Sequence, residues 1–339
     1  MKQIQLTAPQ VIETLETPLP QAEPGWVLAR TLRTGICGTD VHSFFGETIF
    51  GKVFPFHIGH EVCARVEAVG PQCPGLVPGD IIVVNPFFTC GACPACCMGQ
   101  ENNCAHKTTI GLKGFGGFSE YVYIPAGSAF KVRGLDYDAL CLAEPLATVV
   151  YGLDKLQLDP SMRVLIQGVG PIGLMFLQLV RAANVSQLVA SDLSREKLDA
   201  ALRLGADAAL SPLLEDEAAQ LERMAGFDVV IDCTGSIQSM QAAVERIGFG
   251  GQVLFFGLCS AEQTMEIKPF RLYQKDACLM TSFALNKRSF CKAVALLESG
   301  QIDTASLIDS VQPRSQLEAS IRRLAAGKAV GKIIIDTTV

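Results

Sequence analysis

No uninterrupted apolar run in this 339-residue sequence approaches the ~18 residues that a membrane-spanning helix needs. The opening MKQIQLTAPQ lacks the apolar stretch of a secretory signal, so the expected location is the cytoplasm. Basic residues are not clustered, and 34 acidic against 28 basic residues leave a net charge of −6. No nucleic-acid or membrane partner is therefore expected. There is no internal repeat and no low-complexity segment. With 49% hydrophobic and 18% charged residues, the composition is that of a core-forming chain, not a disordered one. Its length exceeds what one ordinary core fills, so two domains are expected.

Cysteine, by contrast, is abundant: there are 13. The number is odd, the chain is large and no secretion signal is visible, which argues against a disulfide framework. Five of them fall in CGACPACCMGQENNC, residues 90–104. Cys90, Cys93, Cys96 and Cys104 follow the spacing C-x2-C-x2-C-x7-C. Zinc takes four thiolates tetrahedrally at ~2.3 Å, and one short lobe with this spacing can supply them all. An iron–sulfur cluster shares the early spacing, but the rest of the chain offers it no redox context. Four thiolates close the coordination shell, so such a zinc is structural. Cys97 is surplus. Cys63, Cys73, Cys141, Cys233, Cys259, Cys278 and Cys291 are single and read as small apolar residues in or near a core.

The first ~150 residues carry short β-like runs broken by Gly and Pro, among them WVLARTLRTG, CARVEAVG, DIIVVNP and SEYVYIP. They predict a barrel-like β domain. Near residue 160 the pattern changes to alternating strands (RVLIQ, QLVASD, FDVVIDCTG, GGQVLFFG) and helices (GLMFLQLVRAAN, SREKLDAALRLGAD). That alternation predicts a parallel sheet covered by helices. A further helix, SFCKAVALLESG, is expected to end at Gly300, and the tail GKIIIDTTV to return as a strand to the first domain.

Between the RVLIQ strand and the next helix lies GVGPIG, with Gly168, Gly170 and Gly173 in G-x-G-x-x-G spacing and Pro171 and Ile172 between them. In that context the motif binds a dinucleotide. The first glycine permits the turn, the second lets backbone approach a pyrophosphate, and the third lets helix and strand pack. The helix N-terminus adds N–H donors and partial positive charge. Asp192 ends the next strand, 24 residues past Gly168, near the position of a ribose-binding acid. Its carboxylate would repel the 2′-phosphate of NADP, so NAD is expected, although Arg195 stands close by. Read alone, Asp192 is an ordinary residue before a helix.

A second donor set is dispersed: Cys37, Thr39 and His42 in GICGTDVH, His60 and Glu61 in GHE, and Glu144 in AEPLAT. Together they offer one thiolate, one imidazole and one or two carboxylates. That set suits a zinc with an exchangeable position.

In this order, GICGTDVH, GHE, the four cysteines, GGFSEY, the EP pair, GVGPIG and Asp192 resemble the zinc-dependent medium-chain dehydrogenase/reductases of the alcohol dehydrogenase superfamily, over essentially the whole chain. The resemblance implies an α/β protein with a GroES-like β-barrel catalytic domain (1–150, with the zinc lobe at 90–104). It implies a doubly wound Rossmann NAD-binding domain (151–290) and a C-terminal segment, 291–339, that returns to the catalytic domain, with the active site in the cleft. Two zinc ions per subunit and NAD are the implied cofactors, and a homodimer or homotetramer the implied assembly. Cys37 and His60 would bind catalytic zinc. Glu144 stands where alcohol dehydrogenases have a second cysteine, which is similar to the sorbitol and sugar dehydrogenase branch, and Glu61 would be a fourth or intermittent ligand. Thr148 would approach the nicotinamide and Lys197 the adenosine ribose.

The implied reaction is hydride transfer from a secondary alcohol to NAD, with Thr39 and His42 relaying the proton. The substrate would be a polyol, a sugar acid or a sugar phosphate; a threonine-dehydrogenase-like amino alcohol and a non-catalytic NAD-binding relative are the alternatives. The chain departs from the branch at Ala64, at His57, expected on a strand and facing away, and at Ser43, Phe44 and Phe45, where polyol dehydrogenases often carry a tyrosine.

Overall fold

The computed structural model describes residues 1–47, 53–134 and 136–339. They divide into two compact units, Met1–Ala147 with Leu285–Val339, and Thr148–Ala284.

The spine of the first unit is the strand Trp26–Gly35. It pairs antiparallel with Glu61–Val69, with Tyr121–Pro125 and with Lys332–Asp336. The seven-stranded sheet runs Ala129–Lys131, Ile81–Val84, Glu61–Val69, Trp26–Gly35, Lys332–Asp336, Ile308–Pro313, with Tyr121–Pro125 beside the spine. Val27, Val62, Val66, Ile82, Val122 and Ile124 fill its interior. These β-branched side chains suit a pleated, half-enclosed surface. Register shifts at Leu28/Ala29 and Thr31/Arg33 interrupt the ladder and let a long strand bend.

The expected C-terminal return is present. Ile333, Ile334 and Ile335 are fully buried, and Lys332–Asp336 lies against Trp26–Gly35. A second core cluster joins Phe44, Phe56 and Phe118 to Leu317, Ile321, Ile333 and Ile335. Each buried aromatic there stabilises the unit by roughly 2–3 kcal/mol. The helix carrying Cys37 at its N-cap, Gly38–Phe44, is thereby pinned by chain from the far end of the sequence. His57 lies on the short strand Phe56–His57, where Nδ1 faces Ile4 O at 3.0 Å and Nε2 faces Gln5 Nε2 at 3.3 Å. Its ring serves the packing of the first strand.

The second unit holds a six-stranded, wholly parallel sheet. Its order is Ala208–Leu210, Gln187–Ser191, Arg163–Gln167, Phe227–Asp232, Ile247–Phe255, Cys278–Thr281. In chain order this is 3-2-1-4-5-6, whose direction reverses at the first strand; ligands of such sheets bind outside the carboxyl ends there. Val164, Leu165 and Ile166 are fully buried, as a strand covered on both faces requires. The helix after the glycine turn spans Pro171–Ala182, two residues earlier than the apolar run suggests, because Pro171 is preorganised for a first helical position. The helix Lys287–Glu298 is closed by Gly300 at φ +71°, as expected.

Two of the isolated cysteines correct the sequence reading. Cys278 and Cys291 are exposed, on the sheet's edge strand and on a helix surface, whereas Cys63, Cys73 and Cys141 are buried. Among the described residues no helix is long and apolar enough to cross a membrane.

Candidate metal centres and nucleotide site

Four thiols converge in the 90–104 lobe. Donor atoms of Cys90, Cys93, Cys96 and Cys104 all lie within 4.8 Å of one another. Cys90 and Cys104 sulfurs are 3.6 Å apart, and those of Cys90 and Cys96 are 4.0 Å apart. A tetrahedron of ~2.3 Å zinc–sulfur bonds has edges of about 3.8 Å, so the cage has the right size for zinc. Backbone amides already point at the sulfurs: Cys90 N donates to Cys104 Sγ and Cys93 N to Cys90 Sγ. Amides of Cys96 and Ala105 hold the Cys93 thiol down to about 6. Cys97 turns away and donates to Ala92 O.

The second set assembles where the spine strand ends. Cys37, His60 and Glu61 bring their donor atoms within 4.8 Å. Gly35 and Glu61 are register partners, and a Cβ on Gly35 would sit 2.1 Å from Glu61 Oε2. Only glycine lets that carboxylate lie against the strand. Cys37 is the N-cap of Gly38–Phe44, and Asp40 at N3 reaches back to accept from Cys37 N at 3.0 Å. The other Asp40 oxygen accepts from Gly59 N at 3.0 Å and lies 3.6 Å from His60 Nδ1. One buried acid thus ties both ligand-bearing loops and, by facing His60 Nδ1, leaves Nε2 as the nitrogen available to a metal.

Burial would lower the His60 imidazole, but Asp40 and then Cys37 hold it well above its ordinary value. For Asp40, burial pushes up, and His60 with the backbone donors brings the carboxyl below its usual range. Glu61 Oε1 accepts from Lys332 Nζ at 2.7 Å, with both groups buried, while Glu61 Oε2 is buried without a hydrogen-bond partner. An orphaned carboxylate oxygen beside a thiol and an imidazole is a fitting place for a divalent cation.

Glu144, in the first turn of Ala143–Leu153, is buried but is not among the three converging donors. Burial pushes its carboxyl up to about 7; His60 opposes this and Glu61 adds to it. Asp40 adds to it as well, Lys332 opposes it, and a bound divalent cation would offset the crowding of the carboxylates. Thr39 Oγ1 is 3.5 Å from Cys37 Sγ, and His42 Nδ1 is 2.8 Å from Glu47 Oε2. Asp40 and Lys332 escaped the sequence reading. The signal for Asp40 was the Cys37-x-x-Asp40 capping spacing; Lys332 had none.

In the second unit, Gly168 follows the Arg163–Gln167 strand at φ +82°, a conformation that favours glycine. A Cβ on Gly173 would lie 2.0 Å from Gly168 O, so packing excludes any other residue there. Gly170, the N-cap of Pro171–Ala182, has φ −69° and nothing within 4 Å of its would-be Cβ. Neither backbone nor packing demands glycine at that point. The open space in front of a helix N-terminus fits a pyrophosphate. Asp192 caps the turn: Oδ2 accepts from Val169 N and Oδ1 from Ser194 N, both at 2.9 Å. Each oxygen keeps a lone pair for a ribose hydroxyl. Lys197 is half-buried on Arg195–Arg203, and Thr148 half-buried on Ala143–Leu153.

Known proteins are similar to this chain in sequence and fold. Residues 23–134 match the alcohol dehydrogenase GroES-like domain family, and residues 171–299 the zinc-binding dehydrogenase family. D-altritol 5-dehydrogenase of Agrobacterium fabrum is 31% identical over 309 residues, covering 89% of each chain. L-galactonate-5-dehydrogenase of Escherichia coli is 30% identical over 311 residues, covering 91% of this chain and 90% of that one. A Sinorhizobium meliloti structure, described as a zinc-binding dehydrogenase bound to NADP, superposes with a TM-score of 0.91 at 29% identity, covering 99% of this chain and 98% of that one. With these matches and its two thiol-bearing clusters, the chain belongs to the zinc-binding medium-chain dehydrogenase/reductases and is an alcohol/polyol-type oxidoreductase.

Proposed function

We infer that the enzyme oxidises a secondary alcohol of a polyol, sugar acid or sugar phosphate, with NAD as the preferred acceptor. The observation that carries the reaction class is the convergence of Cys37, His60 and Glu61 around an unsatisfied Glu61 oxygen. Relatives named for the C5 oxidation of a hexitol and a hexonic acid support the substrate class. Asp192 supports NAD, because a 2′-phosphate would meet a carboxylate.

When bound, zinc supplies Lewis acidity that makes an alcohol easier to deprotonate, and NAD supplies the hydride acceptor. Cys37 and His60 would hold that zinc, with Glu61 or Glu144 completing its shell; Cys90, Cys93, Cys96 and Cys104 would hold a second, closed one. The Gly168–Gly173 turn, Asp192, Lys197 and Thr148 would hold NAD. The Thr39 hydroxyl can accept and donate at once, which suits it to take the substrate's proton. His42 then exchanges a proton with solvent, and Glu47 orients its ring. The exposed edge strand Cys278–Thr281 supports a dimer or tetramer built across that edge, and sedimentation as a monomer would overturn that part.

The test is NADH formation by zinc-loaded protein across hexitols, aldonic acids, sugar phosphates and threonine, each with NAD and with NADP. Turnover of a sugar derivative, faster with NAD, is the expected result. Turnover of threonine alone overturns the substrate class, and faster turnover with NADP overturns the nucleotide preference.

A further inference from the structure

The neighbourhood of Asp192 contains a second carboxylate whose partners bear on nucleotide choice. Gln187–Ser191 and Ala208–Leu210 are parallel neighbours, with Ser191 opposite Leu210. Asp192 and Ser211 are therefore the first residues past two adjacent strand ends, about 5 Å apart across the ladder. Glu217, in the first turn of Glu215–Arg223, accepts from Ser211 N at 2.6 Å with Oε2. Its Oε1 accepts from Arg195 Nη2 at 2.5 Å. The Ser211 amide, and after it Arg195, hold the Glu217 carboxyl below its usual range, so it is charged at neutral pH. Arg195 is the first residue of Arg195–Arg203, three positions after Asp192, with a half-exposed side chain. It is the guanidinium that a 2′-phosphate at Asp192 would need, since arginine beside the ribose acid is what accommodates NADP.

We propose that Glu217 is a nucleotide-discriminating residue: it holds Arg195 in an ion pair at the sheet edge beside Asp192 and withholds it from the 2′-phosphate of NADP. Glu217 is a positioning residue acting through Arg195, and its own charge adds like-charge repulsion against the phosphate. Family membership does not decide this point, because a relative of the same fold is bound to NADP. The inference rests on the proposed dinucleotide site at Gly168–Gly173 and Asp192.

The experiment is fluorescence titration of purified protein with NADPH and NADH, which needs no substrate. Wild type, Glu217→Gln, Arg195→Ala and the double variant are compared. Glutamine can still accept from Ser211 N, so the loop keeps its anchor. Glu217→Gln is expected to bind NADPH about five- to tenfold more tightly, with NADH affinity within about twofold of wild type. Adding Arg195→Ala should cancel the gain. Arg195→Ala alone, which tests the idea even if Glu217→Gln misfolds, should leave NADPH affinity within about twofold of wild type. The proposal is overturned if Glu217→Gln leaves NADPH affinity unchanged, if both nucleotides shift together, if the gain survives loss of Arg195, or if Arg195→Ala alone weakens NADPH. Wild type that binds neither nucleotide would overturn the dinucleotide site itself. NADH binding by wild type with no Glu217 effect would overturn this inference alone.

Discussion

Lys332 Nζ donates to Glu61 Oε1 across 2.7 Å, in a buried ion pair that joins the C-terminal strand to the second strand of the sheet's central pair. Burial would lower the lysine's pKa, but Glu61, followed by Cys37, raises it, so the ammonium stays charged. A buried pair contributes little net stability when intact, but removing one partner leaves an uncompensated charge. Lys332→Met in metal-depleted protein is expected to cost about 3–5 kcal/mol. Zinc loading should recover part of that loss, because a cation can then neutralise Glu61. Urea unfolding with and without zinc measures both, and an equal penalty in the two states would show that Glu61 does not face the metal.

Asp40 holds Cys37 N, Gly59 N and His60 through one carboxylate. In Asp40→Asn, one oxygen becomes an NH2 that faces a backbone N–H or the imidazole. Zinc affinity at Cys37 and His60 should fall about 10- to 100-fold, as for other residues that orient metal ligands. Chelator competition should show one zinc lost early and the Cys90–Cys104 zinc unaffected. Loss of both together would mean a folding defect instead.

These two residues also mark the limit of what could be read from sequence. The cysteine lobe and the glycine turn were legible because their functional groups are close in the chain and the spacing carries the geometry. Cys37 and His60 were legible through motif context. Asp40 sits inside the same motif, but its role depends on a contact with Gly59, nineteen positions away, that no local pattern encodes. Lys332 meets Glu61 across 271 positions. Its strand, KIIID, is buried on both faces, so there is no alternation to say which way a lysine points. Cys278 and Cys291 misled for the opposite reason: free cysteine is commonly buried, yet these lie on a sheet edge and a helix surface.

The fifth cysteine of the lobe gives a clean contrast. Cys97 donates to Ala92 O and stands outside the cage, whereas Cys104 is buried within it. Cys97→Ser should keep two zinc ions per chain and wild-type resistance to proteolysis. Cys104→Ser should lose one zinc and expose the 90–104 segment to protease, since a closed thiolate site contributes folding free energy directly. Elemental analysis with limited proteolysis checks both. Two zinc ions retained by Cys104→Ser would mean that Cys97 substitutes as a ligand.

His42 and Glu47 should separate by the size of their effects. If His42 relays the proton, His42→Ala lowers kcat at neutral pH by about 100-fold, within the range for acid–base groups. Glu47→Gln should lower kcat by less than about tenfold, because glutamine can still accept from Nδ1. Thr39→Ala should match His42→Ala, with zinc content unchanged in all three. Full activity in both Thr39→Ala and His42→Ala would eliminate the relay.

Two glycines of the turn, Gly173 and Gly170, should divide stability from binding. Gly173→Ala places a Cβ 2.0 Å from Gly168 O, so the helix must shift and the melting temperature should fall by several degrees. Gly170→Ala meets no protein atom within 4 Å and keeps an ordinary φ of −69°. It should lose about 0.5–1 kcal/mol as a helix N-cap, a small shift in melting for a chain of this size. If a pyrophosphate approaches that backbone, the added methyl group occupies the ligand's space, and NADH affinity should fall at least about tenfold. Thermal melting and NADH titration of the two variants decide the matter. A Gly170→Ala protein that melts like wild type and binds NADH as well would show that the open space at Gly170 is not where the phosphates lie.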